Sequence, residues 1–288
     1  MPRDAGAEVR LREISHKLLD KYPDRPGPYY FYGYSLHHSE GDLPRARFYL
    51  EKAIELFEKN YGKKPTSSTP WGWYDRTLLE LEQVQGEMDD YQAQIDTIEK
   101  LDGLFLHMYG RRLPPLRAYI AWPMMKLDRE QAARKELNSI SMYQDEPTKA
   151  AYLNSLGALE METNHPQACY QTFSELVQTI RRRHWQMTCT SLRNAGEAAA
   201  TVGKFDEAEK YFLEAADYFD PQGYSNPWWD LGTLYLGQAR FPEAISALKK
   251  TMAWTAASQP HIAQQSWAAD RQLCCEVLLQ LGMTEEAL

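Results

Sequence analysis

Four groups of residues in this chain have types and spacings from which chemistry could be built. His37 and His38 are adjacent, with Glu40 and Asp42 just behind them, a set rich enough to suggest a transition-metal site. Adjacent side chains on an α-helix point about 100° apart, however, and the two acids fall in HSEGDLP, which reads as a turn. The spacing therefore predicts solvated or capping residues there and no metal site. Cys189 and His184 combine a thiol with a base, but five residues along a helix is roughly 140° around it, a poor placement for a nucleophile and its base. RRRHW, from Arg181 to Trp185, is the dense basic cluster of the chain. Phosphate binding is one reading of it; complementing the dipole at a helix C-terminus is the other, and the one expected. The four cysteines, Cys169, Cys189, Cys274 and Cys275, write neither a C-x-x-C knuckle nor a disulfide framework, so they read as buried reduced thiols. No G-x-x-x-x-G-K, H-E-x-x-H or G-x-S-x-G motif occurs. The expectation is a protein with no catalytic residues, no metal and no cofactor.

Composition narrows the function classes further. The 288 residues are 43% hydrophobic and 25% charged, which suits a soluble chain with a large core. A formal net charge of −8 opposes the clustered positive field that nucleic-acid binding needs, so nucleic acid is not an expected partner. No apolar run reaches the roughly eighteen residues of a membrane span. The N-terminus lacks the apolar core of a secretory signal, which makes a cytoplasmic location, away from membranes, the expectation.

The elements that must position any site are helices. EKAIELFEKNYG, FDEAEKYFLEAADYF and FPEAISALKKTMAW repeat apolar residues at spacings of three and four, and no segment alternates long enough for a sheet strand. HSEGDLP, VQGEMDD, KLDRE, TNHPQ, TVGKFDE and LGQARFP each place a turn residue before a fresh apolar run, as short connections between antiparallel helices do. YGKKPTSSTPWGWYDR reads as an exposed loop leading into a helix, and Pro123 predicts a kink or break inside another.

One ladder recurs along these helices. Trp228, Leu231, Gly232, Tyr235, Ala244 and Leu248 are spaced W-x2-L-G-x2-Y-x8-A-x3-L. Leu192, Ala195, Gly196, Ala199, Ala208 and Phe212 keep the same offsets, as do Leu153, Leu156, Gly157, Cys169 and Phe173. The ladder resembles the tetratricopeptide repeat, whose signature runs W-x2-L-G-x2-Y and then A-x3-F. Weaker copies surround Gly33 and Ala46, Leu78 and Tyr91, and Ile120 and Ala133, and a last one opens at Arg271 with Cys274, Cys275, Leu278, Gly282 and Ala287.

The resemblance implies an all-α fold, a right-handed α-solenoid of about seven antiparallel helix-turn-helix repeats with the last incomplete. The units lie near 28–60, 72–100, 114–142, 150–182, 189–220, 225–256 and 266–288, in a single domain spanning 1–288. A chain that stops just after Ala287 without a capping helix is expected to be part of a longer protein. The small residue of each first helix is expected to admit the second helix closely, with Gly232 facing Ala244.

In this family the first helices line a concave groove that holds partner proteins or peptides, so the resemblance implies an interaction scaffold rather than an enzyme. A ligand- or peptide-sensing arm controlling an attached effector domain is the alternative. The registers place Phe31 and Ser35, Arg76 and Glu80, Ala118 and Trp122, Asn154 and Ala158, Arg193 and Glu197, Trp229 and Thr233, and Gln272 and Glu276 on the groove face. No unit carries the lysine and asparagine pair with which part of the family grips a C-terminal carboxylate. The partner-binding candidates are Trp122, Asn154, Arg193, Glu197, Trp229 and Thr233, since Trp and Arg anchor interfaces disproportionately. Two competing readings stay open: Trp229 packed against the preceding unit, and Arg193 with Glu197 as a solvated i,i+4 ion pair.

Overall fold

Hairpins are what the apolar spacing and turn residues should produce, and hairpins are what the chain forms. The computed structural model describes residues 5–64, 66, 71–143, 145–182, 189–218, 226–257 and 268–282. Every regular element among them is helical, and no helix among them is long and apolar enough to cross a membrane. The chain divides into two compact units, one of residues 3–155 and one from Leu156 onward.

The first unit opens with α1 (Ala5–Lys21), a helix to which the ladder assigns no role. It then runs through α2 (Pro26–Ser35), a π-helical turn (Leu36–Glu40), α3 (Leu43–Tyr61), α4 (Trp71–Glu87), α5 (Tyr91–Tyr109), α6 (Pro114–Tyr119), α7 (Ala121–Lys126) and α8 (Glu130–Ile140). Helix α9 (Glu146–Glu162) carries the chain into the second unit, which continues with α10 (Pro166–Arg182), α11 (Cys189–Thr201), α12 (Phe205–Asp217), α13 (Pro227–Gly237), α14 (Phe241–Ala257) and α15 (Ala268–Gln280). The expected hairpins are α2–α3, α4–α5, α6/α7–α8, α9–α10, α11–α12 and α13–α14. Helix α15 opens the seventh, whose Ala287 lies outside the described residues, as does most of the Pro, Ser and Thr stretch before Trp71.

Local chemistry sets the helix boundaries. Asp42 caps α3, accepting from the Arg45 backbone N–H at 3.2 Å, and Asn226 caps α13, accepting from the Trp228 N–H at 3.1 Å with Pro227 in the first turn. Each hairpin turn needs one residue in the left-handed region. Gly41 and Gly203 supply it at φ 64° and 79°, while Asp89, Asp128, Asn164 and Ala239 adopt it at 56–58°. Pro123 has no N–H to donate to the carbonyl of Tyr119, four residues back, and α6 ends at that residue.

Hairpin packing follows the small residues, with one correction. Gly232 does not face Ala244; a Cβ there would lie 2.8 Å from Leu248 Cδ2. Likewise a Cβ at Gly157 would meet Phe173 Cζ at 2.7 Å, one at Gly196 would run into the Phe212 ring, and one at Gly33 would sit 2.9 Å from Leu50 Cγ. The glycine thus receives the large residue four positions beyond the alanine slot. Ala46, Ala133, Ala208 and Ala244 are fully buried and Cys169 nearly so, whereas Tyr91, in the same slot, is only half-buried. Second helices such as α3 and α12 pack on both sides: α3 lies against α2 and α4, and α12 against α11 and α13.

Candidate functional site

The groove candidates fall on both units. In the second unit α11 and α13 are in contact, and they form a cleft of about 520 Å³ together with α12 and the end of α9. Met161, Phe205, Phe212, Trp229 and Leu234 supply its apolar walls. Glu197, Thr201, Asp230, Thr233 and Gln238 supply its polar atoms. Three of the predicted residues, Glu197, Trp229 and Thr233, therefore line one cavity. Met161 and Phe205 are 40% and 46% exposed, leaving large apolar surface open at its mouth. Trp229 is half-buried and also packs against the cluster of Leu248, Cys274 and Leu278.

Arg193 is not a free groove cation, and it is not the i,i+4 partner of Glu197. Its guanidinium forks onto Asp230 of the neighbouring first helix: Nη2 donates to Oδ1 at 2.7 Å and Nε donates to Oδ2. A bidentate pair with buried Asp230 outcompetes the exposed local alternative because the planar fork matches a carboxylate edge. Burial pushes the Asp230 carboxyl up against the opposing pull of Arg193. Burial likewise works against the Arg193 charge, but the Asp230 hydrogen bonds outweigh it and hold the guanidinium ionised. With Arg193 taken, the Glu197 carboxylate makes no hydrogen bond or ion pair among the described residues. Desolvation in the cleft, then the Asp230 charge, raise its pKa against the pull of Arg193. Cys189, beside this pair, has its thiol pushed up to about 11, chiefly by burial, which suits an inert structural thiol.

Sequence reasoning missed Asp230, although a signal was available. In PWWDLGTLYLG no basic residue stands three or four positions away, so a buried acid there needs a partner on another helix.

In the first unit, Trp122 is 40% exposed, with Lys126 Nζ 4.1 Å from its ring centroid, and Asn154 is half-buried on α9. Three register positions do not face an open groove: Ser35 is buried and donates to the Tyr32 carbonyl, Glu80 is buried among histidines, and Ala118 is fully buried. Those histidines overturn the expectation of solvated side chains. His37 and His38 are 1% and 7% exposed. His37 Nδ1 lies 2.6 Å from Glu80 Oε1 and Nε2 lies 3.0 Å from Glu87 Oε1, while His38 Nε2 lies 2.8 Å from the same Glu80 oxygen. Residues 36–40 are wound as a π turn, and within it the two rings stand 4.4 Å apart. Burial opposes a charged His37, but hydrogen bonds to Glu80 and Glu87 outweigh it and raise its pKa to about 9. Burial also opposes a charged Glu80, and hydrogen bonds to His37 and His38 bring it down to about 2. The acids grouped with the histidines in sequence work elsewhere: Glu40 pairs with Arg12, and Asp42 is the α3 cap.

At the basic cluster, α10 ends at Arg182, and Arg181 pairs with Glu214. Arg183, His184 and Trp185 lie outside the described residues, and with them the Cys189 and His184 pairing. Gln272 and Glu276 fall on α15, where the Glu276 side chain is exposed.

Residues 27–60 match the model of the tetratricopeptide repeat. No curated relative matches the chain. Among solved structures, a tetratricopeptide repeat protein from Parabacteroides merdae is similar over 98% of this chain and 93% of its own, at 13% identity and a TM-score of 0.59. A chain of the Cut9–Hcn1 hetero-tetramer of the APC/C aligns over 98% of this chain at 14% identity and a TM-score of 0.58, and this chain spans 46% of its length. A Rap protein complexed with competence and sporulation factor aligns over 90% of this chain and 70% of its own, at 15% identity and a TM-score of 0.56.

Proposed function

Because the chain carries a tetratricopeptide repeat and has the fold of tetratricopeptide-repeat proteins, we propose that it is a cytoplasmic interaction scaffold whose α11–α13 cleft holds a segment of a partner protein. The observation that carries this reading is Glu197, a carboxylate with no hydrogen-bonded or ion-paired cation among the described residues, at an open apolar cavity. The cleft therefore suits a segment that sets a bulky apolar side chain against Trp229, Phe205 and Met161 and a lysine or arginine beside Glu197. Thr233 edges the same cavity, and Arg193 acts indirectly by holding Asp230. Trp122 and Asn154 are contact residues of the first unit on the same reading. We read the protein as a scaffold and not a catalyst, with neither nucleic acid nor membrane as partner.

The test is selection of binders from a random peptide library on the folded protein, with affinities measured by fluorescence anisotropy. Selected peptides should pair a basic with a large apolar residue. Glu197→Lys and Trp229→Ala, checked for unchanged helicity by circular dichroism, should each weaken them at least about tenfold, the effect of a hot-spot truncation. Peptides that bind both variants as tightly as the wild type would refute the cleft assignment.

A second reading, a ligand- or peptide-sensing arm that controls an attached effector domain, draws on the likeness to the Rap protein complexed with competence and sporulation factor. It requires that peptide binding in the cleft change the activity of a domain joined to this chain.

A further inference from the structure

We infer that His37, His38 and Glu80 form a binding site for a divalent transition-metal ion of the Zn²⁺ class, with Glu87 orienting His37 from behind. The candidate ligand atoms of the three residues lie within 4.8 Å of one another, and all three side chains are buried. Two imidazoles and one carboxylate are the donor set that suits zinc with one position left for water or a further ligand.

The arrangement around these donors is what separates a metal site from a chance cluster. His37 presents Nδ1 to Glu80, and its other nitrogen, Nε2, is held by Glu87 Oε1 at 3.0 Å. A ligating histidine that donates its second N–H to a carboxylate has its tautomer and ring plane fixed, as metal-binding histidines generally do. The two adjacent histidines converge within a π turn over Leu36–Glu40, and such turns are frequent at functional sites. Tyr34 packs its ring 4.2 Å from that of His38 and holds it in place.

Charge points the same way. Glu80 and Glu87 bring two negative charges to one buried ring, and a divalent ion balances them without requiring a proton on either histidine. The geometry needs a small adjustment. Ligand atoms about 2.0–2.1 Å from a tetrahedral zinc stand roughly 3.3 Å apart, against 2.6 and 2.8 Å between Glu80 and the two histidine nitrogens here. Rotation of the Glu80 side chain can open the cluster by the roughly 0.5–0.7 Å required.

The experiment strips the full chain with EDTA, removes the chelator, and titrates the protein with ZnCl₂ in a calorimeter while following thermal unfolding. Wild-type protein should take up one Zn²⁺ per chain with a Kd in the micromolar range or tighter and melt at a higher temperature, and Mg²⁺ should do neither. His38→Gln and Glu80→Gln should lose the uptake while keeping their helical circular dichroism. Glu87→Gln should keep the stoichiometry and bind about 10–100-fold more weakly, the usual effect of losing an orienting carboxylate. His16→Ala, which removes an exposed histidine, should change nothing. If the folded wild type takes up no stoichiometric Zn²⁺ at 100 µM, the cluster is an ion network alone and the inference fails. It also fails if His38→Gln binds zinc like the wild type, since the ion would then sit elsewhere.

Discussion

Replacing Gly196 by alanine tests whether hairpin contact, and not helix propensity, selects the interior glycines. In an unconstrained helix the change is favourable by about 0.8–1.0 kcal/mol. Here the new methyl would press into the ring of Phe212, which is 2% exposed and cannot swing away. Overpacking of that kind costs ~1–3 kcal/mol, so the two effects leave a net loss of about 0–2 kcal/mol, and a rigid ring places the expectation near 2. Domains of 150–250 residues lose about 2–4 °C in Tm per kcal/mol. Gly103 is the internal control, being exposed inside α5 with nothing within 4 Å of the position an added methyl would take. Gly103→Ala should therefore raise stability by about 0.8–1.0 kcal/mol. Phe212→Leu added to Gly196→Ala should relieve the clash, giving a coupling of about 0.5–3 kcal/mol in a double-mutant cycle. Urea unfolding followed by circular dichroism reads all of these proteins. If Gly196→Ala stabilises as Gly103→Ala does, or shows no coupling to Phe212, close helix contact is not what selects these glycines.

Ala239 occupies the left-handed turn position filled by Gly203 in the preceding hairpin. Ala239→Gly should stabilise by about 0.5–1 kcal/mol, the relief of the Cβ clash less the added freedom of the unfolded chain, and a fall in Tm would contradict this. Removing the Arg193 cation with Arg193→Met leaves Asp230 buried without its partner and should cost about 3–5 kcal/mol in urea unfolding. Asp230→Leu on that background should recover most of the loss. Glu58 is held below the ordinary carboxylate range because hydrogen bonds from Lys100, at 2.6 Å, and Tyr74, at 2.7 Å, overcome the opposing effect of its burial. A lowered folded pKa means its stabilisation is complete above the unfolded value and is lost as pH falls through the folded one. Acid titration of Glu58→Gln should accordingly show a shallower loss of stability below about pH 4 than the wild type.

The hairpins were legible in the sequence because each one repeats spacings along a single helix, and one-dimensional spacing determines which face is apolar. The offset between two antiparallel helices is not written that way. Gly232 and Ala244 share a repeat, yet the glycine receives Leu248, one turn farther along. Long-range polar partners were hidden for a related reason. Arg193 has an adequate local acid in Glu197, and only the packed structure shows that Asp230, 37 residues on, meets the guanidinium edge-on. His37 and Glu80 are 43 residues apart, and both histidines are buried in a π turn that the sequence spacing does not announce.

Core and cleft share one determinant in the second unit. Gly196 and Gly232 face their second helices, and the next residue along each helix, Glu197 and Thr233, is turned by about 100° onto the wall of the cavity. The close approach at the glycine thus sets the direction in which its neighbour points. A methyl at Gly196 that pushes α12 outward must also rotate Glu197 relative to Trp229, because both lie on helices packed against α12. Partner affinity should therefore fall in Gly196→Ala even under conditions where the variant is fully folded, and Phe212→Leu should restore affinity and stability together. Restoration of stability without affinity would mean that the cavity is shaped by something other than hairpin contact.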